Sequence, residues 1–272
     1  MEGLIPITSR DNQYLKLARS LKSRKERAET GCFLLEGLRL AGEALNSCWP
    51  LSYALLSEET LNNRRLADIL TALRRQGVPV YVVPPHLLQQ AADTEHSQGL
   101  LLVARLPQTP PAQLPPGDFF ILADHLADPG NLGAIMRTAW AAGADALLLT
   151  ADCADPFSPK TTRASMGAVL RLPLLRCDSD NELLSLLQAR GLHLLAAEAG
   201  GDHRYDQADL RRPLAWLLGA EATGLSPFWR EAAASRVYLP MALGAESLNV
   251  AATAAILLYE TAAQRGFPKG NS

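Results

Sequence analysis

The stretch Leu106–Gly117, LPQTPPAQLPPG, carries five prolines and no charged residue. Each proline fixes φ and removes a backbone donor, so the stretch can form neither a helix interior nor a central strand. In a chain of 272 residues such a segment reads as a semi-rigid linker between two cores. The expected organisation is a domain over 1–106, a linker over 107–117 and a second domain over 118–272.

Both flanks alternate strands with helices, the pattern of an α/β protein. Before the linker, Ser9–Arg27 spaces Leu15, Leu17, Ala18 and Leu21 between cations, which predicts one amphipathic helix begun near Thr8 or Ser9 and stopped at Gly31. Strands follow at Phe33–Glu36, Leu51–Leu56, Val78–Val83 and Leu100–Leu106, with helices at Leu38–Leu45, Arg64–Arg75 and His86–Ala92. After the linker, apolar runs at Phe119–Ala123, Ala146–Leu149, Leu172–Leu175, His193–Ala197, Leu214–Leu218 and Val237–Leu239 predict a mostly parallel sheet wrapped by helices. In such sheets ligands bind beyond the carboxyl ends of the strands.

Composition describes an ordinary globular chain, with 48% hydrophobic and 20% charged residues. The formal net charge of −2 hides an uneven distribution. Over the first 27 residues Arg10, Lys16, Arg19, Lys22, Arg24, Lys25 and Arg27 face only Glu2, Asp11 and Glu26, a local balance of +4. A basic segment on an acidic body can bind phosphates locally, or can simply be a solvated helix face. Cys32, Cys48, Cys153 and Cys177 form no C-x-x-C pair and the five histidines no cluster with them, so no metal site is expected. No signal peptide and no membrane-length apolar run are present, so a cytoplasmic protein with reduced thiols is expected.

Three loops after strands of the second domain combine glycine with polar residues. Asp128–Gly133, DPGNLG, leads into a helix that bears Arg137 among apolar neighbours. Gly219–Ser226, GAEATGLS, sets Glu221 between two glycines straight after a strand. Leu239–Glu260 joins a Pro- and Gly-containing loop to an Ala/Leu/Ile helix through Glu246, Ser247, Leu248 and Asn249. Ser or Asn at a helix start can cap backbone N–H groups, and the same place can face a ligand. None of these loops spells a Walker loop or G-x-G-x-x-G, which disfavours a nucleotide-dependent oxidoreductase.

Taken in order, N-x-G-x-I-x-R-x-A at Asn131–Ala139, G-x-E-x-x-G-L at Gly219–Leu225 and P-M-x-x-G-x-x-S-L-N-V at Pro240–Val250 resemble the three motifs of the SpoU family, the RNA ribose 2′-O-methyltransferases of the SPOUT superfamily. The likeness runs through the second domain, including SPKTTRASMGAV at Ser158–Val169, and departs from the family's frequent Ser at Ala251. ITSRDNQYLKLARSL and FLLEGLR in the first domain resemble the substrate-binding domain of rRNA-directed members, a fold like ribosomal protein L30e. The resemblance implies a deep trefoil knot, S-adenosyl-L-methionine as cofactor and a homodimer. It further implies a cofactor site at Leu218, Gly219, Leu239, Met241, Ser247 and Leu248, and a polar active-site set of Asn131, Arg137, Glu221, Ser247 and Asn249.

The expected reaction is methylation of a ribose 2′-hydroxyl in structured RNA, with 23S rRNA preferred. A tRNA ribose methyltransferase and a non-catalytic RNA-binding protein of ribosomal type stand as alternatives. A guanidinium keeps its proton in ordinary settings, so Arg137 is expected to hold the target phosphate and stabilise the developing alkoxide, with Asn131 and Glu221 orienting it.

Overall fold

The computed structural model describes residues 4–95, 97–107, 113–244 and 247–267. The middle of the proline segment, 108–112, and Ala245 and Glu246 of the last loop fall outside that range. In chain order the elements up to the linker are β1 (Leu4–Pro6), α1 (Gln13–Ser20), α2 (Arg24–Thr30), β2 (Cys32–Glu36), α3 (Leu38–Asn46), β3 (Leu51–Ser57), α4 (Arg64–Arg75), β4 (Val80–Val83), α5 (Pro85–Ala91) and β5 (Leu100–Arg105). Beyond it come β6 (Phe119–Ala123), α6 (Pro129–Ala142), β7 (Ala146–Leu149), α7 (Pro159–Ala164), β8 (Leu174–Arg176), α8 (Asp180–Ala189) and β9 (His193–Ala197). The chain closes with β10 (His203–Arg204), β11 (Leu214–Leu218), α9 (Pro227–Ala232), β12 (Ser235–Tyr238) and α10 (Val250–Arg265).

These elements form two compact units, one of residues 1–108 with 155–170 and one of 109–154 with 171–272. The segment Ser158–Val169, read in the sequence with the second domain, thus packs with the first. The second unit is built on a seven-stranded, wholly parallel sheet in the order β10-β12-β9-β11-β6-β7-β8. Its inner strands β6, β7 and β11 are buried at every residue, which is why they read as unbroken apolar runs and not as alternation. The strand β11 lies between β9 and β6, so the loops leaving β6 and β11 emerge side by side. The helix α10 anchors this unit. Trp216 of β11, fully buried, donates its indole N–H to Thr261 Oγ1 at 2.9 Å. At the far end Arg265 stacks over Phe119 at 5.2 Å and donates to the carbonyl of Leu210 and the carboxylate of Asp118.

The first unit has a mixed five-stranded sheet, β1-β4-β3-β5-β2, in which β5 runs antiparallel to both its neighbours. Its single expected N-terminal helix is two. Asn12 caps α1 by accepting from Tyr14 N at 2.9 Å, and α2 begins after Ser23. The break has a specific cause: Arg27 Nη1 donates to the carbonyls of Leu21 and Lys22 at 2.7 and 2.9 Å, which a continuous helix would need for its own ladder. That side chain is buried, and its Nε and Nη2 both reach Asp155 Oδ2, at 2.9 and 2.5 Å. Asp155 opens the segment 155–170, whose Phe157 ring then lies 4.9 Å from Phe33. A buried guanidinium stripped of its carboxylate is an uncompensated charge. Asp155→Ala is therefore expected to lower unfolding free energy by about 3–5 kcal/mol, whereas the paired replacement Arg27→Met with Asp155→Leu recovers most of it; urea denaturation of the three proteins checks both.

Candidate active site

The strand β6 delivers Asp124, whose carboxylate is fully buried and accepts the Ser226 backbone N–H at 2.7 Å through Oδ2. Its Oδ1 stands 2.6 Å from His125 Nδ1. One carboxylate thus ties the loop after β6 to the loop after β11, as the adjacency of those strands allows. Asp128 then caps α6, accepting from Asn131 N at 2.8 Å, with Pro129 in the first turn where its missing N–H costs nothing.

Asn131 donates through Nδ2 to Glu221 Oε1 at 2.9 Å. The third partner is Asn249, the N-cap of α10, whose Oδ1 accepts from Ala251 N and Ala252 N at 2.9 and 3.3 Å. A backbone N–H can only donate, so this cap forces the amide oxygen toward the helix and leaves Nδ2 to donate elsewhere. It donates to Glu221 Oε1 and, at 3.1 Å, to Asn131 Oδ1. The three sequence motifs thereby close into one hydrogen-bonded triangle.

Beside it is a cleft lined by Leu218, Gly219, Leu239, Met241, Ser247 and Leu248, the whole expected cofactor set, and by Glu221. Its walls are largely apolar, completed by Val250 and Leu257 of α10, while Glu198 and Glu221 bring carboxylates. Such a lining suits a ligand that joins a flat apolar ring to cationic groups. Gly219 is required here on steric grounds. A Cβ at this position would come within 2.1 Å of the Gly224 carbonyl carbon and 2.2 Å of Leu225 N, because the loop folds back with Ala220 and Gly224 bonded to each other in both directions.

Some of the wall was not foreseen. Ala197, Glu198 and Ala199 at the end of β9 line the cleft, and Arg230 Nε holds Glu198 Oε1 at 2.7 Å. No local motif marks them; they arrive because β9 is the other neighbour of β11. Two expectations change. Arg137 is exposed on α6 and has no hydrogen bond or ion pair among the described residues, so Asn131 and Glu221 do not orient it. The polar groups of Asn131 and Glu221 are instead engaged with each other and with Asn249. Ser247 lines the cleft but does not cap α10, which Asn249 does alone.

The seven N-terminal cations expected to meet RNA are mostly engaged within the first unit. Arg27 is buried on Asp155 and so is unavailable to RNA. Lys22 donates to the carbonyls of Gln90 and Ala92, and Arg19 to Gln90 Oε1 and the Arg10 carbonyl. Arg10 and Lys16 stand at 4.0 and 3.2 Å from Asp11, and Lys25 at 3.7 Å from Glu29. Arg24 alone of the seven is exposed without a partner among the described residues.

Comparison with known proteins places the chain among RNA-modifying relatives. Residues 118–259 match the SpoU rRNA Methylase family and residues 12–102 the MRM3-like substrate binding domain. The chain is 32% identical to a 23S rRNA (guanosine(2553)-2′-O)-methyltransferase of Bacillus subtilis, over 93% of this chain and 97% of the relative. It is 30% identical to the 23S rRNA (uridine(2479)-2′-O)-methyltransferase of Streptomyces viridochromogenes, over 95% and 92%. The AdoMet-bound rRNA methyltransferase of Sinorhizobium meliloti superposes with a TM-score of 0.84 at 28% identity, covering 95% of this chain and 97% of that one. With its three motifs gathered at one cleft and its length shared nearly end to end with these relatives, the chain belongs to the SpoU rRNA methylase family.

Proposed function

We propose that this protein uses S-adenosyl-L-methionine to methylate a ribose 2′-hydroxyl of 23S rRNA, as a cytoplasmic homodimer whose second unit carries the deep trefoil knot implied by its family. The observation that carries the reading is the triangle of Asn131, Glu221 and Asn249 at the rim of a cleft lined by the six cofactor residues. When bound, the cofactor supplies a methyl group on a cationic sulfonium. Leu218, Leu239, Met241 and Leu248 would hold its apolar parts, and the Glu221 carboxylate would bring negative charge to the same cleft. Relatives act on different nucleotides, a guanosine and a uridine, which leaves the choice of target to the RNA around it.

Arg137 supplies the remaining chemistry. Unpaired among the described residues and exposed, its guanidinium is free to take the target phosphate and stabilise the alkoxide that develops on the 2′-oxygen. The triangle joins the three motif loops at the rim of the cleft, and Ser247 adds a hydroxyl to the cleft wall. The proton itself leaves to the phosphate or to water, since a guanidinium holds its own.

A homodimer gains support from apolar side chains left exposed on α6 and α10: Trp140 at 43%, Ile256 at 37% and Tyr259 at 47%. Sedimentation of Ile256→Glu with Tyr259→Glu is expected to give a monomer where the wild type gives a dimer.

Two further measurements test the chemistry. Gly219→Ala forces the 219–225 loop apart, so calorimetry with S-adenosyl-L-methionine should show at least about a tenfold loss of affinity, equivalent to ~1.4 kcal/mol. Arg137→Ala should leave that affinity intact and lower the methylation rate on 23S rRNA by about 100- to 1000-fold, the usual effect of removing a transition-state donor. In a pH–rate comparison Arg137→Lys is expected to keep the wild-type kinetic pKa; a pKa that moves with the side chain would make Arg137 the general base.

A further inference from the structure

The first unit contains a concavity of about 840 Å³ lined by Leu38 and Arg39 of α3, Asn63, Arg65 and Ile69 of α4 and its cap, and Gln98. Its polar chemistry is one-sided. Gln98 Oε1 accepts the Leu38 backbone N–H at 3.0 Å, and Asn63 Oδ1 accepts that of Arg65 at 3.0 Å. Because those backbone groups can only donate, both amide oxygens are held inward and both NH2 groups remain as unpaired donors among the described residues. Gly37 permits the first of these bonds: at φ +98° it has no Cβ, which would stand 2.9 Å from Gln98 Oε1. The guanidiniums of Arg39 and Arg65 are exposed and make no hydrogen bond or ion pair among the described residues. None of the described lining residues is a carboxylate; Glu59 lies in the adjoining groove, which shares Asn63 and Gln98.

Two planar cations and two amide donors, with no competing acceptor, select a ligand that is anionic and offers only acceptors. We propose that this concavity is a binding site for the RNA sugar–phosphate backbone, in which Arg39 and Arg65 each take a phosphodiester and Leu38 and Ile69 lie under the sugars. It rests on the reading of the protein as RNA-directed. The site adds two unpaired guanidiniums to a unit in which Arg19, Lys22 and Arg27 of the N-terminal segment are engaged by the unit's own carbonyls and side chains.

The test is the salt dependence of binding to an unmodified 23S rRNA transcript, followed by fluorescence anisotropy from low to high KCl. The proteins are wild type, Arg39→Gln with Arg65→Gln, the charge-preserving Arg39→Lys with Arg65→Lys, and Arg24→Gln with Lys25→Gln; cofactor calorimetry accompanies each. Each lost phosphate contact removes roughly 0.7–0.9 from the slope of log K against log salt, so the Gln pair should flatten it by about 1.5 and weaken binding about tenfold or more. The Lys pair should keep the wild-type slope with weaker binding, and the Arg24 and Lys25 pair, which removes two exposed charges outside the concavity, should flatten the slope and weaken binding less than the Gln pair does. Cofactor affinity should be the same in all four. Wild-type slope and affinity in the Gln pair would overturn the site while leaving the RNA-directed reading intact. Absence of salt-dependent RNA binding by the wild type would overturn both.

Discussion

The free backbone N–H groups at the start of α10 need acceptors, and meeting that need organises the candidate active site. Asn249 supplies the acceptor with its side-chain oxygen, to Ala251 and Ala252. An amide has only two ends, so its NH2 must then face away from the helix, where Glu221 and Asn131 receive it. A requirement of helix formation thereby fixes the rotamer of a side chain at the rim of the cleft. Asp124 does comparable work one layer deeper, joining the β6 and β11 loops through Ser226, so that Asn131 and Glu221 face each other at all. The cleft is held by caps and by one buried carboxylate, all placed at strand ends by the sheet order.

A different constraint governs the first unit. Its N-terminal segment looks basic, yet three of its seven cations, Arg19, Lys22 and Arg27, are tied to the unit's own carbonyls and side chains. Arg27 is buried because it breaks the helix, takes two carbonyls and meets Asp155 from the segment 155–170. Lys22 and Arg19 close the end of α5. Besides Arg24 on α2, unpaired cations lie around α3 and α4, where two backbone N–H groups occupy the amide oxygens of Asn63 and Gln98 and leave a surface made of donors. Counting charges along a sequence cannot separate these cases, because a spent lysine and a free arginine contribute the same unit of charge.

The sequence is most legible where periodicity is strong or geometry is local. Arg64–Arg75 and Ala146–Leu149 stand where the pattern places them, and Asn249 as a helix cap follows from its position before an apolar run. Legibility fails where an element is too short for a period, as at β1 and β10, and where a side chain from elsewhere consumes backbone acceptors, as Arg27 does between α1 and α2. It fails again at Arg137, which was expected to be oriented by Asn131 and Glu221 but stands exposed while those two bond to each other and to Asn249.

By itself the sequence determined the two α/β patterns, the capped start of α10 and the ordered motifs that carry the family resemblance, because these depend on residue type and spacing within one stretch; the resemblance, not the spacing, pointed to Leu218, Gly219, Leu239, Met241, Ser247 and Leu248, which are among the residues that line the cleft. The tertiary structure alone decided that 155–170 packs with the first unit, that the end of β9 brings Glu198 into the cleft, that Arg27 is buried while Arg39 and Arg65 stand free, and that Asn131, Glu221 and Asn249 share their hydrogen bonds. Each of these depends on strands or side chains far apart in the chain becoming neighbours. Adjacency of that kind is set by how the sheets assemble and the core closes, which no single stretch encodes.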